Sequence, residues 1–218
     1  MPFPHSQRQI DTWIFDLDDT LYPPEAGLLA EINRRITAFI VRELGMAPED
    51  AAVIRARYWA EHGITLAGLI AEHRVKPDHF LADTHDIDLS GVRPNPALVG
   101  AIAELPGRRI VHTNGARAHA ARVLAATGLE ELFDEVYAIE DKGLIPKPRA
   151  EAYRIVLEHS GADPTRALMI EDTHRNLVEP RRLGMATAWL AHDSNHATPD
   201  HVDHRIEDLT AFLRAQIA

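Results

Sequence analysis

Three aspartates, Asp16, Asp18 and Asp19, follow directly on the apolar run Trp13-Ile14-Phe15, with Leu17 set among them. A short apolar run that meets carboxylates reads as a buried parallel strand delivering acids to its C-terminal end. Side chains alternate along a strand, so continued extension puts Asp16 and Asp18 on one face. Two carboxylates held close repel, which raises one pKa or draws in a cation. Such a pair suits a nucleophile and a general acid/base working together. A solvated acidic turn would use the same residue types.

Three later places carry complementary chemistry. His112-Thr113-Asn114-Gly115 ends a second apolar run. A hydroxyl and an amide ahead of a helix N-terminus can cradle a phosphate, and a plain turn with Thr113 as helix cap fits as well. Lys147 stands between Pro146 and Pro148, whose rings fix the backbone around it. That makes either a held cation or a surface lysine in a stiff loop. Glu171 and Asp172 end the run Ala167-Leu168-Met169-Ile170, with Asn176 shortly after. Paired carboxylates suit Mg2+, which takes oxygen ligands and keeps several waters, and they also suit acidic helix capping.

The elements that must position these residues are legible as an alternation. After Arg93-Pro94-Asn95-Pro96, a helix carrying Leu98, Ile102 and Leu105 precedes a strand ending at His112. Further helices around His119–Gly128, Ala150–Gly161 and Asn176–Gly184 alternate with strands at Glu135–Ile139, Ala167–Asp172 and Ala186–Ala191. Alternation of this kind predicts an α/β fold, a doubly wound parallel sheet. Between Tyr22 and Gly91 the pattern is helical throughout. Leu28, Ile32, Ile36, Phe39, Ile40 and Leu44 recur at helical spacing, and Gly45 suits the stop. Pro48 and Pro77 open further helices, and Thr65 is expected to cap another. Residues 22–91 therefore read as an all-helical cap inserted into a core of residues 1–21 and 92–218. Pro180 lies inside the last predicted crossover helix, which must start late or kink there.

The chain of 218 residues has room for one such core and a modest insertion. A formal net charge of −10 makes it a poor binder of nucleic acid polymers. No run of apolar residues is long enough for a membrane span, and Met1–Trp13 holds no signal core, so a cytoplasmic location is expected. The absence of Cys rules out disulfides and thiolate metal sites. His192, His196, His201 and His204 match no compact metal motif, and they read as a solvated loop before the last helix.

In their order and at their strand ends, Asp16-Leu17-Asp18-Asp19-Thr20-Leu21, Thr113-Asn114, Lys147-Pro148 and Glu171-Asp172 resemble the four signatures of the haloacid dehalogenase superfamily of phosphatases. The resemblance implies Asp16 as nucleophile and Asp18 as general acid/base. It implies that Thr113 and Lys147 hold the phosphoryl group, with Asn114 beside them in the substrate site. It implies Mg2+ bound by Asp16, the Asp18 carbonyl and Asp172, with Asn176 in support and Asp19 structural. The fourth signature often opens with two aspartates. Here Glu171 comes first, which leaves open whether it meets the metal directly or through water.

Tyr22-Pro23-Pro24 with Gly27, the stretch Tyr58–Leu69, and His119-Ala120-Ala121-Arg122-Val123-Leu124 are similar to the pyrimidine 5′-nucleotidase branch, which removes phosphate from UMP and CMP. This likeness runs from about Trp13 to Leu190 and implies a small-molecule phosphomonoester as partner. Tyr22, Tyr58, Trp59 and His62 are candidates for leaving-group contacts, with helix packing the alternative for Tyr58 and Trp59. Rival functions are a dehalogenase, which typically lacks the aspartate at position 18, a phosphomutase for sugar phosphates, and a phosphate-binding regulator.

Overall fold

The computed structural model describes residues 9–193 and 197–217. Most of the N-terminal stretch inspected for a leader, and His196, lie outside the described residues. Among those described, no helix is long and apolar enough to cross a membrane.

Six parallel strands form one sheet: β1 (Thr12–Phe15), β2 (Arg108–His112), β3 (Glu135–Tyr137), β4 (Ala167–Glu171), β5 (Ala186–Leu190) and β6 (His204–Ile206). Their order is β3-β2-β1-β4-β5-β6. In β1, β4 and β5 every residue is buried. Continuous apolar strands of that kind belong in a sheet covered on both faces. The faces alternate as strand geometry requires: Trp13 and Phe15 join one apolar cluster, while Ile14 joins another with Ile110 and Met169.

Four helices fall between β1 and the crossover to β2: α1 (Leu28–Leu44), α2 (Pro48–His62), α3 (Thr65–His73) and α4 (Pro77–His85). The buried residues of α1, namely Leu28, Ile32, Ile36, Phe39 and Ile40, form the stripe its sequence spacing predicts. Each such buried side chain contributes roughly 1.5–3 kcal/mol. Gly45 ends α1 in the left-handed conformation, φ 65°, with its N–H on the Val41 carbonyl. Pro48 and Pro77 each stand in the first turn of a helix, where no backbone donor is lost. Phe39 of α1 meets Phe80 of α4 edge to face at 5.1 Å.

The remaining helices are α5 (Pro96–Ala103), α6 (Arg117–Thr127), α7 (Ala150–Ser160), α8 (Val178–Leu183) and α9 (Leu209–Ile217). Three details differ from the sequence expectations or resolve them. Thr65 is not a cap: Ile64 holds that position, and the Thr65 hydroxyl donates to the Arg55 carbonyl at 3.2 Å. The segment expected as a loop before α9 contains β6, paired with β5 from Ala188↔His204 to Leu190↔Ile206. Its three residues are too few to show alternation, and polar neighbours mask them. Pro180 lies in the first turn of α8, so that helix starts late after a 3-10 turn at His174–Leu177.

β1 is flanked by β2 on one side and β4 on the other. The connections diverge there, and open α/β sheets bind ligands in the crevice at such a switch point. Asp16 leaves β1 and Asp172 leaves β4 at that crevice.

Candidate active site

A cavity of about 310 Å3 lies between the C-terminal edge of the sheet and the helical insertion. Its floor carries Asp16, Asp18, Thr113, Asn114, Lys147, Glu171, Asp172 and Asn176, every residue singled out as catalytic, substrate-binding, metal-binding or supporting.

Asp16 continues the line of β1, with its N–H on the Ile170 carbonyl at 2.9 Å. Its Oδ1 accepts from Lys147 Nζ at 2.5 Å, and its Oδ2 lies 3.4 Å from the Thr20 hydroxyl. Lys147 is 1% exposed. Its ammonium also donates to Glu171 Oε1 at 2.7 Å and to the His112 carbonyl at 2.8 Å, so all three donors are used. Lys147 is therefore not the exposed lysine of a stiff loop. Asn114 clamps its backbone: the Lys147 N–H donates to Asn114 Oδ1 at 2.8 Å, and Asn114 Nδ2 donates to the Lys147 carbonyl at 3.0 Å. Most of that amide is spent on positioning the lysine.

Glu171 is a hub. Besides Lys147, its Oε1 accepts from Asn176 Nδ2 at 2.7 Å, and its Oε2 accepts from the Thr173 N–H at 2.9 Å. Asn176 is held in turn by the Tyr153 hydroxyl on its carbonyl at 2.6 Å. Asp172 follows, its carbonyl taken by Trp189 Nε1 at 2.7 Å. Thr113 Oγ1 accepts from the Gly115 N–H at 2.9 Å, a local turn. The N-terminus of the following helix is not wholly free to serve as the expected phosphate cradle. The first N–H of α6, on Arg117, is already taken by the Glu140 carboxylate at 3.0 Å.

Asp18 sits apart from this network. Its Oδ1 accepts from the Tyr22 hydroxyl at 2.7 Å and pairs with His119 Nε2 at 2.8 Å. Burial opposes ionisation there, but His119 and then Tyr22 outweigh it and hold the carboxyl below its ordinary value. His119 was not legible as a partner, being 101 residues away along the chain with no spacing to betray it. A second unforeseen group is Lys142, fully buried, which donates to the Thr113 carbonyl at 2.5 Å. Burial, then the nearby Lys147 charge, drives its pKa well down.

Asp16, Glu171 and Asp172 each offer a carboxylate oxygen, all within 4.8 Å of one another. Burial and mutual repulsion push Asp16 up to about 7 and Asp172 up to about 9, despite Lys147. A hard divalent cation fits this donor set, since it would relieve the repulsion that holds those protons on. Both Glu171 oxygens are committed to Lys147, Asn176 and Thr173, whereas the Asp172 carboxyl meets the Thr173 hydroxyl at 3.3 Å and its neighbour Glu171.

The helical insertion forms the roof. Tyr58 is fully buried, with its hydroxyl on Glu72 at 2.7 Å and its ring over Gly68, where a Cβ would lie 2.2 Å away. It is packing, not a leaving-group contact. Trp59 does line the cavity and is 47% exposed. The Arg175 guanidinium stacks on its ring at 3.6 Å and donates to its carbonyl at 3.1 Å. His62 lies near Glu61 at 3.9 Å and does not line the cavity, and Tyr22 serves Asp18 instead. Gly63, at φ 89°, packs against the Lys147 loop, where a Cβ would stand 2.6 Å from the Lys147 carbonyl oxygen. Among the described residues the C-terminal histidines form no metal group: His192 and His201 bond to the carbonyls of Asp19 and His174.

A parallel sheet of this order, with its acids at the switch point and a helical roof, is a doubly wound α/β fold with a ligand site at its C-terminal edge. The match to known proteins makes the class specific. Residues 10–184 match the family model for haloacid dehalogenase-like hydrolases, and the chain belongs to that family. It is 30% identical to the Probable phosphatase IndB of Dickeya dadantii, over 84% of this chain and 83% of that protein. It is 25% identical to the pyrimidine 5′-nucleotidase YjjG of Escherichia coli, over 82% of this chain and 85% of that one. Phosphate metabolism protein 8 of Saccharomyces cerevisiae is 24% identical over 95% of this chain. The chain spans only 65% of that yeast protein and 62% of an (S)-2-haloacid dehalogenase of Xanthobacter autotrophicus. The fold is that of the hydrolase YfnB from Bacillus subtilis, solved with magnesium: TM-score 0.62, 18% identity, 95% of this chain and 99% of that one. Fold, site and family match agree on a haloacid dehalogenase-like hydrolase.

Proposed function

We propose that this enzyme is a Mg2+-dependent phosphomonoester hydrolase with Asp16 as nucleophile, acting on pyrimidine nucleoside 5′-monophosphates, UMP and CMP. The observation that carries the chemistry is the buried Asp16–Lys147 pair at 2.5 Å, opening on the cavity that Asp18, Thr113 and Asp172 also line. The substrate class rests on the likeness to the nucleotidase branch.

In the proposed reaction, Asp16 attacks phosphorus, forming an acyl phosphate as the ester P–O bond breaks. Asp18 gives a proton to the departing oxygen and afterwards takes one from the water that hydrolyses the intermediate. Asp18 rests ionised, but an arriving anionic phosphoryl group raises its proton affinity. Lys147 neutralises Asp16 and the phosphoryl oxygens, and Asn114 and Glu171 keep it in place. Asp16, Asp172 and the Asp18 carbonyl would hold Mg2+, with Glu171 beside them. The ion supplies charge neutralisation between a carboxylate and a phosphate dianion.

Residues 22–91 are proposed as a cap over a core of residues 1–21 and 92–218, closing the site against water. Asp18 disfavours a dehalogenase. Phosphate release from a panel of nucleoside monophosphates and sugar phosphates, with and without EDTA, tests the metal and the substrate class. Full activity in metal-free buffer removes the metal, and indifference to the base removes the nucleotide assignment.

A further inference from the structure

The roof of the cavity has a chemistry of its own. Ile32 and Ile36 of α1, Ile64 and Leu66 around the start of α3, and Phe80 and Leu81 of α4 line it. Set into this apolar surface is one polar pair from two different helices, Asn33 of α1 and Arg55 of α2. Arg55 Nη1 donates to Asn33 Oδ1 at 2.8 Å. Arg55 Nε is buried with no hydrogen-bond partner, and the guanidinium joins no ion pair among the described residues. Of the other polar side chains in the lining, Thr65 donates to the Arg55 carbonyl at 3.2 Å, and His85 Nδ1 meets the Thr84 hydroxyl at 3.0 Å.

A guanidinium has no acceptor, and one of the two lone pairs on the Asn33 amide oxygen is taken by Arg55. What the pair still offers is mostly donors: the remaining guanidinium N–H groups and the Asn33 NH2. A buried donor without a partner is costly, so the free site is built to be completed. Resting on the phosphatase reading, we propose that Arg55 and Asn33 are specificity-determining residues. They select esters whose leaving group joins an apolar body to a hydrogen-bond-accepting edge, a carbonyl or a carboxylate. The apolar walls take the body and the pair takes the edge. A leaving group that is polar all round would strand the walls, and one without an acceptor would strand the donors.

The test uses two near-isosteric esters, 4-acetylphenyl phosphate and 4-isopropylphenyl phosphate, with wild type and Arg55→Met. The ratio of kcat/KM values within each protein cancels any general loss in the variant. Comparison of the two ratios cancels the different acidity of the phenols. Loss of a charged hydrogen bond predicts that the acetyl preference is roughly tenfold or more greater in wild type than in the variant. Asn33→Leu, which leaves the arginine in place, is expected to lower the ratio less. A ratio unchanged by Arg55→Met overturns the assignment, as does a wild type that prefers the isopropyl ester. 4-Carboxyphenyl phosphate separates the two acceptor types: faster turnover than the acetyl ester assigns a carboxylate, slower a carbonyl. Phenyl phosphate has no acceptor edge and reports the underlying reaction by itself. If wild type hydrolyses it with no acceptor preference among the others, only the present assignment fails. If none of the esters is hydrolysed, the phosphatase reading fails.

Discussion

Replacing Gly63 by alanine perturbs the junction between roof and catalytic loop with a single methyl. At φ 89° a residue with a Cβ carries a backbone penalty of about 1–2 kcal/mol. The methyl would also lie 2.6 Å from the Lys147 carbonyl oxygen, 3.2 Å from Pro148 Cδ and 3.3 Å from Pro146 Cγ. The first contact is with backbone, and that carbonyl is already fixed by Asn114 Nδ2 at 3.0 Å. Relief requires α2 to lift from the core or Lys147 to move off Asp16. The combined cost is about 2–4 kcal/mol. For a chain of this size that lowers Tm by roughly 4–16 °C. A displacement of Lys147 or the roof by several tenths of an ångström cuts kcat/KM by roughly 10–100-fold. Gly100→Ala is the control: it lies inside α5 with nothing within 4 Å of the added methyl. It is expected to leave activity intact and Tm equal or higher. Thermal melts and phosphate-release kinetics read both. A Gly63→Ala protein with wild-type Tm and wild-type kcat/KM refutes the claim that the roof presses on the lysine loop.

Asp16→Asn should lower kcat at least about a thousandfold, read by phosphate release with deamidation excluded by mass. Its Tm at pH 8 should not fall, because an ionised Asp16 is disfavoured by burial and by Glu171. Without metal, the folded protein holds protons on Asp16 up to about 7 and on Asp172 up to about 9, against 3.8 unfolded. It therefore binds more protons than the unfolded chain across that window, and the contribution of these groups to stability falls as pH rises. Melts in EDTA should show that decline between about pH 5 and 9, and added Mg2+ should raise Tm more at pH 8 than at pH 5.5. A Mg2+ effect independent of pH would count against Asp172 as ligand. Asn114→Ala removes both bonds to the Lys147 backbone, worth roughly 1 kcal/mol each, and should reduce kcat/KM by tenfold or more. Equal activity would show that the prolines alone hold the lysine.

The sheet was legible because its inner strands carry short apolar runs that alternate regularly with helical patterns. β6 was not, since two half-buried residues and one buried one, flanked by polar neighbours, leave no periodic trace. The catalytic cluster was legible because each member sits at a strand end, where topology alone brings distant residues together. The partners supplied from helices were not. His119 reaches Asp18 from α6, and Arg55 reaches Asn33 across two helices of the insertion. Such contacts depend on how helices are rotated against the sheet, which no single helix encodes. Tyr58 and Trp59 show the same limit. They are adjacent in sequence, yet one is sealed under Gly68 and the other faces the cavity.

The stacking of Arg175 on Trp59 has a bearing on timing. Arg175 belongs to the short turn that begins just after Asp172 and carries Asn176, the residue that props Glu171. Lifting the roof therefore pulls on the same few residues that keep the acids in order. On the proposed phosphatase reading and cap motion, departure of the spent alcohol would be tied to slackening of the acidic cluster, and a fresh ester would meet a site that must be re-tensioned before it reacts.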